Sequence, residues 1–183
     1  MDLDFYYKDK EIIIKNAKDF EPEHIFECGQ CFRWNKEEDG SFTGIAYNKV
    51  LNVKKIGKDV ILRNTTREDF MNIWVRYFDL ETDYGIIKEK ISHKDEIMQQ
   101  AVKFGDGIRI LRQEPWETLI SFIISSNNNI PRIKRGIELL SEGYGEYLGK
   151  FYGKKRYAFP SAKTLQGLSI EELKACNTGY RAS

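Results

Sequence analysis

The sequence is poor in proline and cysteine, and it has no long apolar run. Its 183 residues include four prolines and three cysteines. A small, odd number of cysteines fits a reducing compartment better than a disulfide framework. No apolar run is long enough to span a membrane, and the acidic stretch 1–5 lacks the apolar core of a signal peptide. We therefore expect an intracellular protein that is neither secreted nor bound to a membrane.

Motifs for metal or redox chemistry are weak as well. Cys28 and Cys31 have the spacing of half a zinc site or of a thioredoxin motif, but the sequence holds no second pair. The two histidines, His24 and His93, fall in no ligand pattern. We interpret the two cysteines as half-buried structural residues, with metal or redox chemistry as the weaker alternative. The sequence thus predicts no metal ion and no cofactor.

A net charge of +1 gives no sign of a polyanionic partner, but the charges are unevenly distributed. Residues 1–130 hold 19 Lys and Arg against 23 Asp and Glu, whereas residues 131–183 hold 10 against 5. A basic end on an acidic body suggests one face turned toward a polyanion. A solvated surface in a chain with 31% charged residues explains the same counts equally well.

The chain does have enough apolar and aromatic residues for a core, 41% and 13%, and two regions of different periodicity. Helices are expected at 67–78, 83–91 and 94–104, and the pattern after residue 104 is helical throughout. We predict an α+β fold, with an antiparallel sheet domain over residues 1–103 and a helical domain over residues 104–183. The short alternating runs that predict the sheet are 11–14, 30–35, 41–47, 49–55 and 59–63.

The most informative stretch joins two of the predicted helices. Pro115 suits the first position of a helix that is apolar on nearly all sides, so we expect that helix to be buried. Residues 127–129 are three asparagines, which end this helix and cap the next. Capping alone would explain an asparagine-rich corner. Three amides followed by Arg132 also offer donors and acceptors of the kind that read base edges.

Five short motifs occur together in the order found in one enzyme family. With these motifs in register from about residue 5 to residue 183, the chain resembles the 8-oxoguanine DNA glycosylases of the helix-hairpin-helix superfamily. The resemblance implies an N-terminal twisted antiparallel sheet domain followed by an all-α bundle, here incomplete, that holds the active site against bent DNA. The motifs are GQCFRW at 29–34, ILRQEPWE at 110–117, SSNNNI at 125–130, FPS at 159–161 and GYRA at 179–182.

The resemblance also implies roles for single residues. Gly29 matches the glycine whose carbonyl accepts a hydrogen bond from N7–H of the oxidised guanine, a proton that normal guanine lacks. Asn127, Arg132 and Arg181 match the residues that hydrogen-bond the orphaned cytosine, the base opposite the lesion. Tyr180 matches the aromatic wedge beside that cytosine. From the residues alone, a turn glycine, phosphate or ion-pair contacts for the arginines and a core tyrosine remain alternatives.

The sequence departs from the family in its catalytic part. Catalysis in the family belongs to a lysine at the end of a Leu-Pro-Gly-Val-Gly type hairpin and to an aspartate about twenty residues later. No proline of this sequence lies in a hairpin flanked by glycines. We therefore assign no catalytic residue in this chain and expect the lysine and the aspartate beyond Ser183. Arg33 and Trp34 are interpreted as packing residues of the sheet domain rather than ligands.

The favoured interpretation is a base-excision repair glycosylase that removes 8-oxoguanine from DNA. The complete enzyme would also have abasic-site lyase activity, and the 183-residue chain alone would be inactive. We expect double-stranded DNA with oxidised guanine opposite cytosine as the partner, a monomeric state and, in a bacterium, a cytoplasmic, nucleoid-associated location. The alternatives are a non-catalytic module or fragment that binds damaged DNA, and a glycosylase for a different damaged base.

Overall fold

The fold is α+β with an antiparallel sheet, as the sequence predicted. The computed structural model describes residues 3–182. The chain divides into two compact units. The sheet unit comprises the residues up to Gln30, Asn35–Thr43 and Leu51–Arg112. The helical unit comprises Cys31–Trp34, Gly44–Val50 and the residues from Gln113 onward.

The large sheet has six strands in the order β1-β2-β6-β5-β4-β3. Strand β2 pairs antiparallel with β1 and β6, and β6 pairs antiparallel with β5. The register places Leu62 of β6 opposite Ile12 of β2 and Val53 of β5, and all three side chains are buried. This alternation explains why the sequence predicted four of the strands to within a residue. The strands are β1 (Phe5–Lys8), β2 (Glu11–Ile14), β3 (Trp34–Lys36), β4 (Phe42–Ala46), β5 (Lys49–Ile56) and β6 (Asp59–Arg63).

The predicted strand over 30–35 is wrong for residues 30–33, and β1 was not predicted. Residues 28–30 form a bend, in which Gly29 has a φ of +87°. This bend includes residue 30, and residues 32–33 form a second bend, so the strand begins only at Trp34. Strand β1 is half-buried at Phe5 and exposed in its other residues, so it gives no alternating apolar signal. The domain boundaries at 103 and 104 stay a prediction.

Helices of the sheet unit agree with the predicted ones at 67–78, 83–91 and 94–104. Thr66 caps the segment that begins at Arg67, because its hydroxyl accepts a hydrogen bond from the N–H of Asp69 at 3.0 Å. The helices are α1 (Pro22–Glu27), α2 (Arg67–Asp69), a π-helical turn (Phe70–Trp74), α3 (Val75–Tyr77), α4 (Tyr84–Ser92) and α5 (Glu96–Phe104). Large aromatic side chains, each almost wholly buried, form the core: Phe20, Phe26, Phe70, Trp74, Tyr77 and Phe78.

The helical unit has its own apolar core. Its helices are α6 (Pro115–Ser125), α7 (Ile130–Tyr144), α8 (Ala162–Gln166) and α9 (Ile170–Ala175), followed by a 3-10 turn (Gly179–Ala182). Pro115 opens α6 and Asn129 caps α7, as the sequence predicted. The core residues are Ile124, Ile133, Ile137, Leu140, Phe159 and Cys176.

The prediction that α6 is buried on nearly all sides is wrong. Ile124 is 2% exposed, but Leu119 and Phe122 are 53% and 73% exposed. On another side of α6, Ile120 and Ile123 border a groove of about 310 Å³. The apolar residues of α6 therefore exceed what the neighbouring helices of the described chain cover.

The prediction of helices throughout the chain after residue 104 is also wrong, because residues 147–157 form a β-hairpin. Strand β7 (Tyr147–Phe151) pairs antiparallel with β8 (Lys154–Tyr157). Tyr152 and Gly153 join the strands with φ values of +48° and +74°. Two consecutive positive φ values are the signature of the type I′ turn that closes a tight hairpin. The Tyr-Gly pair is the one sequence signal for this turn.

Within residues 3–182, no helix is both long enough and apolar enough to cross a membrane. The same residues contain no group of His, Cys, Asp and Glu side chains that could hold a metal ion. Neither cysteine of the Cys28/Cys31 pair forms a disulfide bond within the described residues. They are not half-buried, since Cys28 is exposed and Cys31 is buried.

Candidate nucleic-acid interface

The turn between α6 and α7 is held by two of its three asparagines. The Asn128 side chain donates to the carbonyl of Ile124 at 3.1 Å and accepts from the N–H of Asn129 at 3.0 Å. The Asn129 side chain caps α7 by accepting from the N–H of Arg132 at 3.1 Å. Asn127 has a φ of +46°, in the left-handed region that asparagine tolerates better than most residues. Two amides therefore stabilise the turn, and the third is left exposed.

Arg181 braces this turn from the 3-10 turn. Its Nε donates to the carbonyl of Ser126 at 3.0 Å, and its Nη2 donates to the carbonyls of Ser126 and Asn127. Its Nη1 donates to the carbonyl of Thr178 at 3.2 Å. Because Ser126 follows the last residue of α6, the guanidinium lies where a helix dipole favours a cation. Arg181 thus fixes the backbone of Asn127 in the free protein.

Three side chains at or next to this turn are open to solvent. The side chains of Asn127 and Arg132 are exposed, and neither makes a hydrogen bond or an ion pair within residues 3–182. Tyr180 is 63% exposed, and its ring centroid lies 4.4 Å from the guanidinium carbon of Arg181. An aromatic face, an amide and a free guanidinium are the groups that stack on an unpaired base and hydrogen-bond its edge.

Gly29 lies in the sheet unit, in the bend that follows α1. Its φ of +87° is a conformation that costs glycine nothing, and its carbonyl accepts no hydrogen bond within residues 3–182. The Gln30 side chain donates to the carbonyls of Ile25 and Arg109, both at 2.9 Å, and accepts from the N–H of Leu111 at 2.9 Å. Three hydrogen bonds of the Gln30 side chain therefore fix the bend, while the Gly29 carbonyl can still accept a hydrogen bond from a ligand.

Gln30 is a positioning residue that was not predicted from the sequence. It lies inside the GQCFRW motif, and its only sequence signal is an amide directly after a glycine. Its anchor, Arg109, is itself buried and donates to the carbonyls of Asp79 at 2.7 Å and Lys18 at 3.1 Å. Burial lowers the pKa of Arg109, and the nearby Tyr84 opposes that effect. Both side chains bond to backbone carbonyls distant in sequence, which no local pattern could reveal.

Arg33 and Trp34 are packing residues, as interpreted, but they belong to the helical unit and not to the sheet domain. Arg33 is 5% exposed, donates to the carbonyl of Tyr157 and lies 3.5 Å from the carboxylate of Glu117. Burial raises the pKa of Glu117, and the Arg33 guanidinium partly offsets that rise. Trp34 covers Gly44 so closely that a Cβ on this glycine would come within 2.1 Å of the indole ring.

The structure thus brings four of the five sequence-predicted site residues to one part of the helical unit. Asn127, Tyr180 and Arg181 meet at the turn between α6 and α7, and Arg132 lies in the first turn of α7. Gly29, the fifth, belongs to the sheet unit. The assignment of these residues to base contacts remains a prediction.

Known proteins share this sequence pattern. Residues 12–119 match the family described as 8-oxoguanine DNA glycosylase, N-terminal domain. An N-glycosylase/DNA lyase of Arabidopsis thaliana is 31% identical over 169 residues, which cover 86% of this chain and 44% of that protein. An N-glycosylase/DNA lyase of Saccharomyces cerevisiae is 31% identical over 180 residues, which cover 87% of this chain and 46% of that protein. The chain spans less than half the length of these curated relatives.

A solved structure shares the fold over the whole chain. It is the Clostridium acetobutylicum 8-oxoguanine glycosylase/lyase in complex with double-stranded DNA containing cytosine opposite to 8-oxoG. The match has a TM-score of 0.95 and 46% identity, and it covers 100% of this chain and 62% of that one. The part of the Clostridium protein outside the match is therefore more than a third of its length.

Proposed function

The chain belongs to the 8-oxoguanine DNA glycosylase family, and we propose that it carries the base-reading part of an enzyme that removes 8-oxoguanine from double-stranded DNA. The observation that carries this proposal is the turn between α6 and α7. There, Asn127 and Arg132 present unused hydrogen-bonding groups beside the exposed ring of Tyr180. A surface turn that only had to end one helix and start another would not need these three groups.

The base that this turn would read is the cytosine left behind when the lesion is flipped out. Cytosine offers N3 and O2 as acceptors and its amino group as a donor. The Arg132 guanidinium can donate to the two acceptors, and the Asn127 amide can both donate and accept. The Tyr180 ring can fill part of the gap in the base stack. Arg181, which already uses several donors on the protein backbone, would act mainly by holding Asn127 in place.

Lesion choice would depend on the carbonyl of Gly29. Guanine has an acceptor at N7, whereas the oxidised base has an N7–H donor there. A fixed carbonyl therefore attracts the oxidised base and repels the normal one. The three hydrogen bonds of Gln30 would keep this carbonyl from turning away.

The chemistry would come from a part of the enzyme that these residues do not contain. In the complete enzyme, a lysine would attack C1′ of the flipped nucleoside and displace the oxidised base by breaking the glycosidic bond. Opening of the sugar ring would then give a Schiff base, from which elimination of the 3′ phosphate would cleave the strand. We propose that this lysine and its aspartate lie in the region that the relatives have in addition. The enzyme would be a monomer without a cofactor and, in a bacterium, would work in the cytoplasm on the nucleoid.

Covalent trapping with borohydride tests this proposal, because only a Schiff base becomes a stable protein–DNA adduct. We would compare the 183-residue chain with a chimera that adds the unmatched part of the Clostridium acetobutylicum protein. The expected result is an adduct on oxidised guanine opposite cytosine with the chimera and none with the chain. An adduct with the chain alone would place the nucleophile among its own lysines. A folded, DNA-binding chimera without an adduct would favour a non-catalytic module or another lesion.

A further inference from the structure

The β7–β8 hairpin carries a face that the base-reading site does not use. Lys150 lies directly opposite Lys155, and Tyr147 lies directly opposite Tyr157, with their ring centroids 5.5 Å apart. Directly opposite residues of an antiparallel pair project to the same side. The register shift between Tyr147 and Gly149 brings Tyr147 onto the side of Lys150. These four side chains, the hairpin face, therefore form one strip of two tyrosines and two lysines.

The hairpin face is the outer one. On the other face lies Arg156, which is 3% exposed and so points into the helical unit. On the hairpin face, Lys150 and Lys155 are exposed and Tyr147 is 54% exposed. At the tip of the turn, Tyr152 is 48% exposed.

The charges of the hairpin repel one another. Its residues 147–157 include four Lys and Arg and no Asp or Glu. Like charges directly opposite one another destabilise a strand pair. Neither Lys150 nor Lys155 makes an ion pair with any residue that the structure describes. Within residues 3–182, no ion pair therefore relieves the repulsion between Lys150 and Lys155.

Lysines on exposed strands can also serve to prevent edge-to-edge aggregation. That role needs charge at the strand edges, but it does not need a pair of tyrosines packed beside the charges. Lysine ammonium and tyrosine hydroxyl groups together are common donors to the phosphates of a DNA backbone. A polyanion would also relieve the repulsion between Lys150 and Lys155, because it brings the missing negative charge.

We propose that the hairpin face binds phosphates of the DNA duplex, as a contact separate from the turn between α6 and α7. This inference rests on the proposed function, since that function supplies the duplex. The contact would add affinity without reading sequence, because phosphates are the same at every base pair. It would also account for two of the ten Lys and Arg side chains in the basic end of the chain, residues 131–183.

The test is the salt dependence of duplex binding by the full chain. The variant Lys150→Gln/Lys155→Gln removes both charges, and it should unfold no more easily because it also removes the repulsion. A matched control is Lys90→Gln/Lys103→Gln, two exposed lysines on α4 and α5 without ion pairs within residues 3–182. Affinity for a duplex with an abasic site opposite cytosine would be measured between about 50 and 200 mM salt.

Log affinity falls as log salt rises, and we expect this decline to be less steep in the hairpin variant. The slope should be smaller in magnitude by about two, about one for each lysine. The control should change the slope by much less, and the preference for cytosine over adenine should stay the same in both variants. Equal slopes in both variants would overturn the inference. So would self-association of the hairpin variant with an unchanged slope, or the absence of duplex binding by the unmodified chain.

The outcomes for the hairpin face and for the base-reading turn are distinguishable. If the unmodified chain bound the duplex without preferring cytosine, the proposed function would fail while a slope loss in the hairpin variant still supported a phosphate contact. If the cytosine preference were present and the slope loss absent, only the hairpin inference would fail.

Discussion

The aromatic core of the sheet unit and the α6–α7 region of the helical unit differ in how far they cover their apolar side chains. In the first, Phe20, Phe70 and Phe78 are at most 1% exposed. In the second, Leu119 and Phe122 are more than half exposed, and an open groove of about 310 Å³ borders α6. Exposed apolar patches with polar neighbours mark surfaces that bind something. The difference indicates that the aromatic core mainly stabilises the chain, whereas the α6–α7 region mainly presents surfaces for contact.

The largest effect should follow from opening the aromatic core. Phe78 is 0% exposed and its ring packs against those of Phe20 at 5.2 Å and Tyr77 at 4.9 Å. Phe78→Ala should reduce the free energy of unfolding by about 3–5 kcal/mol, because it leaves a cavity in a close-packed site. Urea denaturation followed by circular dichroism measures this loss. Phe122→Ala on α6 is the control, and comparable losses in the two variants would erase the contrast between the regions.

A moderate effect is expected at the bend that carries the lesion-reading carbonyl. A Cβ on Gly29 would meet nothing within 4 Å, so the cost of Gly29→Ala is backbone strain of about 1–3 kcal/mol at a φ of +87°. In the chimera, this variant should reduce oxidised-guanine excision more than binding to an abasic-site analogue. The crowding would come from the flipped base rather than from the protein.

Gly57→Ala is the matched control for this prediction. Gly57 has a φ of +60° and equally open space around a Cβ, but it lies in the turn between β5 and β6. Its substitution should cost similar stability and leave lesion choice unchanged. If both variants lost excision in proportion to their stability, Gly29 would be a turn residue only.

A smaller effect concerns how the stability of the sheet unit depends on pH. Hydrogen bonds from the side chain and backbone of Ser41 hold the pKa of Asp39 well below its usual range, and Lys54 helps. A lowered pKa stabilises the folded state above the unfolded-state pKa, and this stabilisation is lost as the pH falls through the folded-state pKa. The effect should stay below about 1 kcal/mol because the carboxylate is partly solvated.

Asp39→Asn should therefore lower the midpoint of thermal unfolding at neutral pH and flatten its decline below about pH 4. Glu38→Gln is the control, since the exposed Glu38 makes no hydrogen bond within residues 3–182. If the midpoint of thermal unfolding fell as steeply at acid pH in Asp39→Asn as in the unmodified chain, the role of the Ser41 hydrogen bonds would be contradicted.

The smallest effect on stability is expected on the outer face of α6. Phe122 is 73% exposed, so Phe122→Ser should change the free energy of unfolding by less than about 0.5 kcal/mol. The same substitution should reduce any self-association of the chain, which sedimentation velocity measures. A strong loss of stability would show that Phe122 packs more tightly than its exposure indicates.

The sequence predicted the parts of the structure that depend on local pattern. Strand β2 and the cap Asn129 follow from alternation and from a side chain suited to a helix end. The family resemblance brought together four residues that the structure also places in one region. Local pattern and motif order were sufficient for these elements, because each depends on a few neighbouring residues.

Features that depend on distant contacts could not be predicted. Residues 30–33 were predicted as strand because the hydrogen bonds that hold Gln30 in a bend are made with residues far along the chain. The apolar residues of α6 predicted burial, but sequence does not show which neighbours are present to cover them. The role of Arg181 as a brace became visible only from its bonds to Ser126 and Asn127.

The most direct test of the central claim is the preference of the turn for cytosine. Dissociation constants would be measured for duplexes with an abasic site opposite cytosine and opposite adenine. We expect the unmodified chain to prefer cytosine and Arg132→Met to narrow that preference by about 1–3 kcal/mol. Arg135→Met, an exposed arginine on α7 that lies 3.7 Å from Glu142, should leave it unchanged. An unchanged preference in Arg132→Met, with uniformly weaker binding and a lower salt slope, would make Arg132 a phosphate contact and contradict the claim.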